Sequence, residues 1–445
     1  MRAYFKKLSI AQSIMSTYIL LILIGGILLT LPFAAENGQV TSFIDALFTA
    51  TSATAVTGHV TLNTASHWSY FGKTVILLLI EIGGLGFMTI WIFLYYFLMG
   101  QNPDLKQRMI VSESLSLTAG ENIKSKIWYI LRFALIVQLI GAILLAFVFI
   151  PEYGNIKGIY FSIFHSISAF CYAGFDLMGN SLVSYQDNPY LLLVITGLIM
   201  TGGLGFIVWE DLLNYPKRKT LNNYTKIVLI TTISLWILGT IYFWLIERNN
   251  GTFEHLSNGK QFVNYFFLSV TPRTAGYVNI DYTSLSTGSL FLTYVLMFIG
   301  ASSASTGGGI KVSTFAVILI VIYRYINNKR SVIFNREISN ETTKQSFFIF
   351  TSGIIIATLS TLVLLITETI PSGYGIEFLL MEVFSTIGTV GLTMGMTPLL
   401  STIGKFILMI LMLIGRAGVL TFLWSLAGER RESRINYPDM NILIG

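Results

Sequence analysis

Long and short apolar segments alternate along the whole of this 445-residue chain. One series of long segments lies at about 12–32, 126–150, 222–246 and 344–369, and a second at about 71–99, 188–213, 289–326 and 402–425. Each approaches or exceeds the ~20 apolar residues that a membrane-crossing helix needs. Between each pair sits a short segment, at about 42–53, 158–170, 260–271 and 374–386. A dozen helical residues cover only ~18 Å, so these should enter the membrane and turn back. Re-entrant backbone is tolerated at that depth only where protein buries it or it lines a wet cavity. The pattern predicts an all-α membrane protein of four helix–pore loop–helix repeats. Eight spanning helices and four re-entrant pore helices are then arranged pseudo-fourfold around one pore. The repeats run 12–99, 126–213, 222–326 and 344–425 in a single membrane domain (1–445), with a cytoplasmic tail at 426–445.

Each short segment runs into a small-residue stretch that ends in glycine. The stretches are Ser52–Gly58, Ser168–Gly174, Val270–Gly276 and Ser385–Gly391, and the glycines are 116, 102 and 115 residues apart. Phe48, Phe164 and Phe266 each precede their glycine by ten residues, with Met381 in the fourth unit. Repetition at a fixed period marks one structural unit used several times. Carbonyls aimed at one axis need backbone angles that glycine reaches cheaply. Such rings of carbonyls replace the water of a monovalent cation without a fixed charge. The expected ring is Gly58, Gly174, Gly276 and Gly391. Further carbonyls come from Val56 and Thr57, Tyr172 and Ala173, Thr274 and Ala275, and Thr389 and Val390. Those side chains differ between units, so only the backbone can be the shared ligand. Helices running inward would also aim their negative ends at the centre.

The second long segments carry glycines too: Gly83-Gly84-Leu85-Gly86, Gly202-Gly203-Leu204-Gly205 and the weaker Gly415-Arg416-Ala417-Gly418. Close helix packing is their expected role. The third differs, reading Gly300-Ala-Ser302-Ser303-Ala-Ser305-Thr306-Gly307-Gly308-Gly309-Ile-Lys311. Three successive glycines beside four hydroxyl residues make a poor helix, so a broken helix lining a cavity is expected here.

Composition agrees with a membrane protein: 53% hydrophobic residues, 11% charged and a mean hydropathy of +0.70. A soluble domain carries about 25% charged residues. The net charge of +6 does not form one patch that would bind nucleic acid. Its lysines and arginines cluster at Arg2–Lys7, Lys106–Lys126, Lys217–Lys226, Arg324–Lys344 and Arg430–Arg434, alternating with less basic connectors. This positive-inside pattern puts both termini in the cytoplasm. The connectors 100–125, 214–221 and 327–343 are then cytoplasmic, and those at 33–41, 151–157, 247–259 and 370–373 external. The first apolar segment is longer than a signal peptide's 7–15-residue core and fills the place of an internal helix in later repeats. The single cysteine, Cys171, precludes an intrachain disulfide and reads as a packing residue.

The filter glycines, the paired-glycine helices and the Gly300–Lys311 segment together resemble the Trk/Ktr/HKT superfamily of potassium transporters, over about residues 10–430. The resemblance implies a potassium-selective pore, because glycine stands at the first filter position (Gly58). It implies that Gly300–Lys311 is an intramembrane gating loop and that Arg416 is the family's arginine in the last second helix. It implies a homodimer in a bacterial plasma membrane, on a cytoplasmic ring of RCK (KtrA-type) regulators. Those partners would bind the nucleotide; this chain would hold no cofactor, with K⁺ as cargo and Na⁺ as a stimulating ion.

A charge at membrane depth faces an interior or a wet cavity, so Arg416 should oppose ion flow or pair with the loop, and Lys311 is a candidate for similar work. Arg273 should brace the third stretch. Glu81 and Glu382 should bond filter-supporting backbone. Asp176, Asp281 and His59 should face an outer vestibule, and Asp45 should sit at a helix start. The four histidines lack metal-ligand spacing. No Walker A or HExxH pattern occurs, so the chain reads as no enzyme. The alternative reading is an ion-coupled secondary transporter of another small cation, which would also use broken helices but usually shows two inverted halves.

Overall fold

The computed structural model describes residues 8–86, 89–90, 109, 123–370, 372–373 and 375–427. Short turns aside, the first unit contains α1 (Ile10–Thr30), α2 (Phe43–Thr54) and α3 (Tyr70–Leu85). The second has α4 (Ile123–Tyr153), α5 (Asn155–Phe170), α6 (Pro189–Leu204) and α7 (Phe206–Arg218). The third has α8 (Asn223–Glu247), α9 (Asn258–Val270), α10 (Thr287–Phe298) and α11 (Val312–Ile326). The fourth has α12 (Asn340–Thr367), α13 (Ile376–Ile387), α14 (Thr402–Ala417) and α15 (Val419–Ala427). Helices α1, α4, α8 and α12 are each long and apolar enough to cross a membrane. Their outer faces expose Leu23, Leu139, Leu238 and Leu359, as a surface solvated by lipid should.

The second helix of every unit starts on a side-chain cap: Ser69 accepts from Gly72 N, Asn188 from Leu191 N, Ser286 from Ser289 N and Ser401 from Gly404 N. Such caps satisfy amides that the first turn leaves without partners. In the last two units a glutamate ending the first helix grips the capping serine. Glu247 Oε1 accepts from Ser286 N (3.1 Å) and Oγ (2.6 Å), and Glu368 accepts from Ser401 N (2.7 Å) and Oγ (2.6 Å). These clamps tie the outgoing helix to the incoming one across the pore-helix hairpin.

The second helices are not continuous, unlike the long segments read from sequence. Helices α6 and α7 meet at 95° and α14 and α15 at 105°. The hinges are Gly205 (φ +92°) and Gly418 (φ +89°), and α3 ends on Gly86 (φ +86°). This is the last glycine of each Gly-x-x-Gly pattern, in a conformation that L side chains rarely adopt. Apolarity runs straight through the hinge, so hydropathy alone hides it. Of the segment 71–99, residues 87–88 and 91–99 lie outside the described residues, as do nearly all of the connector 100–125 and the tail from 428.

The connectors 151–157 and 327–343 also differ from plain loops. Between α4 and α5 the chain turns at Gly154 alone (φ +80°). After α11 comes a hairpin of β1 (Val332–Ile333) and β2 (Arg336–Glu337), paired Val332 to Glu337 and Ile333 to Arg336. Its turn residues, Phe334 and Asn335, both have positive φ, the geometry of a type I′ turn.

The four units close on themselves. Helix α3 packs on α5, α6 on α9, α10 on α13, and α14 returns to α2. Each second helix therefore touches the short helix of the next unit, and the fourth completes the circle.

Candidate functional site

The glycine stretches begin as helix C-termini. In three units the amide one residue past the C-cap bonds three residues back and the following amide five residues back. The pairs are Val56 N to Ala53 O with Thr57 N to Ser52 O, then Tyr172 N to Ala169 O with Ala173 N to Ser168 O, then Thr389 N to Thr386 O with Val390 N to Ser385 O. This is the Schellman arrangement, which puts a left-handed residue just past the cap and usually uses glycine there. Here that residue is Val56 (φ +55°), Tyr172 (+69°) or Thr389 (+49°). The third unit varies the theme: Thr274 is left-handed (+70°), and Ala275 N and Gly276 N share Thr271 O. A β-branched residue with positive φ costs about 1–2 kcal/mol. Three of the four sites carry one, so the surroundings must hold the strain.

Two residues later each stretch reaches its glycine, again with positive φ: Gly58 (+93°), Gly174 (+65°), Gly276 (+74°) and Gly391 (+92°). The intervening Thr57, Ala173, Ala275 and Val390 do not share it. Alternating hand along an extended segment turns successive carbonyls toward one side instead of opposite sides. Hydroxyls fix the result. Ser52 Oγ accepts from Gly58 N and Ser385 Oγ from Gly391 N, each at 3.0 Å. Ser168 Oγ donates to Phe175 O (2.8 Å) and Thr271 Oγ1 to Tyr277 O (2.6 Å).

The structure brings the four stretches together. A Cβ on Gly58 would lie 2.5 Å from Ala173 O, and one on Gly174 would lie 2.9 Å from Ala275 O. One on Gly276 would strike Val390 O, and one on Gly391 would strike Thr57 O. Each glycine thus abuts the carbonyl that precedes the glycine of the next loop, in the order first, second, third, fourth, first. Any side chain at these places would displace a neighbour's carbonyl.

Supporting glycines lie behind the ring. A Cβ on Gly83, Gly202 or Gly415 would strike Thr54 O, Phe170 O or Ile387 O respectively. In every case the carbonyl belongs to the residue four before that unit's ring glycine. The packing role expected for the paired glycines is therefore specific: they let the second helix touch the end of its own short helix.

The segment Gly300–Lys311 is non-helical and packs against the ring. A Cβ on Gly307 would lie 2.5 Å from Thr274 Oγ1, and one on Gly308 would strike Thr389 Oγ1. The segment hydrogen-bonds the hinge of the second unit, through Ser302 N to Gly203 O (3.1 Å), Thr306 N to Gly202 O (3.3 Å) and Phe206 N to Ala304 O (2.8 Å). It reaches the fourth through Gly309 N to Gly415 O (3.1 Å). Ser302 and Thr306 are fully buried, while Ser303 and Ser305 are half-buried. Arg416 donates to Thr306 O, Gly83 O and Gly84 O, joining the segment to the first unit as well. Lys311 Nζ donates to Gly307 O at 2.8 Å. Arg273 braces the start of the segment, with its Nη2 3.1 Å from Gly300 O and its guanidinium 5.8 Å from the Trp236 ring. A cavity of about 280 Å³ borders the segment, lined among others by Gly84, Gly86, Gly307, Lys311, Ile387 and Arg416. Nearby, the buried hydroxyls of Thr54, Thr57, Thr274 and Thr389 have no hydrogen-bond partner among the described residues.

Several expected positions differ. His59 faces no vestibule; it is fully buried against Thr397 and Glu382. Glu382 accepts from the hydroxyls of Thr393 and Thr397 as well as from the Thr397 backbone. Glu81 takes Gln138 Nε2 (2.9 Å) and Cys171 Sγ (3.3 Å), so Cys171 is a polar contact as well as a packing residue. Asp176, half-buried, and Asp281, exposed, keep access to solvent while also capping local turns, through Met178 N and Gly179 N and through Thr283 N. Asp45 does sit in the first turn of α2, where Lys405 Nζ reaches it at 2.8 Å. Sequence reasoning did not find Tyr277, Thr393, Thr397 or His165 behind the ring. Their only signal is a fixed offset from the ring glycines.

The family described as TrkH, cation transport protein, matches residues 7–430. The chain is 46% identical over 443 residues to the potassium/sodium uptake protein NtpJ of Enterococcus hirae, covering 99% of this chain and 98% of that one. It is 40% identical over 430 residues to the Ktr system potassium uptake protein B of Bacillus subtilis, covering 96% and 95%. The crystal structure of the potassium transporter TrkH from Vibrio parahaemolyticus shares the fold, with a TM-score of 0.74 at 17% identity over 93% of this chain and 83% of that one. A ring of four re-entrant loops, a matching sequence family along almost the whole chain and the shared fold agree: the chain belongs to the TrkH family of cation transport proteins.

Proposed function

We propose that the chain is the membrane subunit of a Ktr-type potassium uptake system, and that K⁺ crosses at the glycine ring. The observation that carries this reading is the ring's closure, each glycine abutting the carbonyl of the next loop. Main-chain oxygens of the residues at and before Gly58, Gly174, Gly276 and Gly391 replace the water of K⁺, and no fixed charge holds the ion back. The segment Gly300–Lys311 acts as the gate, and Arg416 holds it closed through Thr306 O. Unpartnered hydroxyls at Thr57, Thr274 and Thr389 suit a path that water and ions share. Two chains form a homodimer with one pore each. A cytoplasmic RCK-type ring binds nucleotide and moves α11, which begins where the segment ends. Both termini lie in the cytoplasm, and Na⁺ stimulates uptake. The names of the Enterococcus and Bacillus relatives support potassium as cargo.

The test is uptake of K⁺ and Na⁺ in bacteria stripped of their own potassium systems, with wild type and Gly58→Ser compared. Wild type should restore growth at low K⁺, and Gly58→Ser should admit Na⁺ at the expense of K⁺ preference. An unchanged preference in a well-expressed variant would overturn the role of the ring.

A further inference from the structure

We propose that the four loops are braced as two pairs, the fourth with the first and the second with the third, and that Glu382, His165, His59 and Tyr277 are positioning residues for cation selection. This rests on the reading of the ring as the selective site. The positions nine residues before the ring glycines are Thr49, His165, Phe267 and Glu382, all fully buried. Only the second and fourth units use that position as a strut to the chain beyond their own glycine. His165 Nε2 accepts from Leu177 N (3.2 Å) while its Nδ1 donates to Phe161 O (2.7 Å). Glu382 accepts from Thr393 Oγ1 and, at 2.7 Å, from Thr397 Oγ1. In the first unit the Thr49 hydroxyl turns back to Asp45 O (2.9 Å), and in the third a phenylalanine has nothing to offer.

The unbraced loops are held from their neighbours. The residue after the glycine is His59 in the first unit and Tyr277 in the third. His59 Nδ1 lies 3.1 Å from Thr397 Oγ1 and 3.4 Å from Glu382 Oε2. Where Glu382 is a carboxylate, the one proton of Thr397 goes to it, and His59 Nδ1–H then donates to Thr397 Oγ1. Tyr277 Oη donates to Phe175 O at 3.2 Å, one residue past Gly174. The matching residues of the even units, Phe175 and Leu392, have no side-chain polar atom with which to reach onward. Each pair therefore has one internal strut and one reach, and pseudo-fourfold symmetry is reduced to pseudo-twofold behind the glycines. The spacing of carbonyls across the ring then depends on these bonds, because buried polar bonds of this kind fix one geometry.

The experiment measures KM and maximal rate for K⁺ and Na⁺ in Thr397→Val, Thr397→Ser, Tyr277→Phe and Glu382→Gln, with Gly58→Ser as reference. Folding is checked by size exclusion and thermal melting. Thr397→Val and Tyr277→Phe should each shift the K⁺/Na⁺ ratio of KM by about fivefold, as losing a buried hydrogen bond allows. Thr397→Ser, which keeps the hydroxyl, should restore it. Combining Thr397→Val with Glu382→Gln, in one pair, should give less than the product of the single effects. Combining Thr397→Val with Tyr277→Phe, across pairs, should give the product. If both hydroxyl deletions leave the ratio unchanged while Gly58→Ser moves it, the bracing proposal falls alone. If Gly58→Ser also leaves it unchanged, the reading of the ring falls and takes the proposal with it. Equal coupling within and across pairs would overturn the pairing.

Discussion

At the scale of single residues, the site is built from missing side chains. Gly202 shows the constraint: a Cβ there would strike Phe170 O, the carbonyl that also accepts from Thr306 Oγ1 at 2.8 Å. Gly202→Ala should therefore destabilise the fold by about 1–3 kcal/mol, read as a lower melting temperature in detergent. Arg416 works by presence instead, with three backbone carbonyls on one guanidinium. Arg416→Gln cannot span all three, so the segment should loosen and K⁺ flux should rise; unchanged flux in a folded variant would remove Arg416 from the gate. The ring glycines were legible in the sequence because a fixed offset from a repeated short helix survives in one dimension. The partners of His59 were not, because Thr397 lies 338 residues away and no local pattern joins them. Arg273 was legible as a brace but not its target, since Gly300 belongs to a different element.

At the scale of elements, the short helices were readable from length alone, their observed ends falling within about three residues of the expected ones. The hinges were not. Gly205 sits in an unbroken apolar run, and helix packing is an adequate explanation for a glycine until its φ is known. The contrast between units is informative. The second helices of the second and fourth units turn on one glycine, whereas the third replaces the hinge with the whole of Gly300–Lys311. Deleting Ser302–Gly309 should raise flux if that segment blocks the path, measured as K⁺ uptake by a variant that still elutes as a folded protein. The outer clamps predict the opposite behaviour. Ser401→Ala removes a helix cap and the hydroxyl's bond to Glu368, leaving the backbone one, and should cost about 1–2 kcal/mol. Melting temperature should fall while the K⁺/Na⁺ preference stays, because this contact holds the hairpin's legs and not its tip.

At the scale of the whole molecule, the closed circuit of second helix on next short helix makes the four units one cooperative body. The exposed leucines of α1, α4, α8 and α12 place lipid on the outside, and the basic connectors are the ground for the proposed orientation. A reporter fused past residue 427 should be reachable from the cytoplasm alone; labelling from outside in intact cells would reverse the proposed topology. Having four units in one polypeptide has a further result. An assembly of four identical chains would have to repeat any obstruction four times around its axis, where there is room for one. A fused chain escapes that symmetry, so one quarter can hold the long Gly300–Lys311 segment where the second and fourth quarters turn on a single glycine.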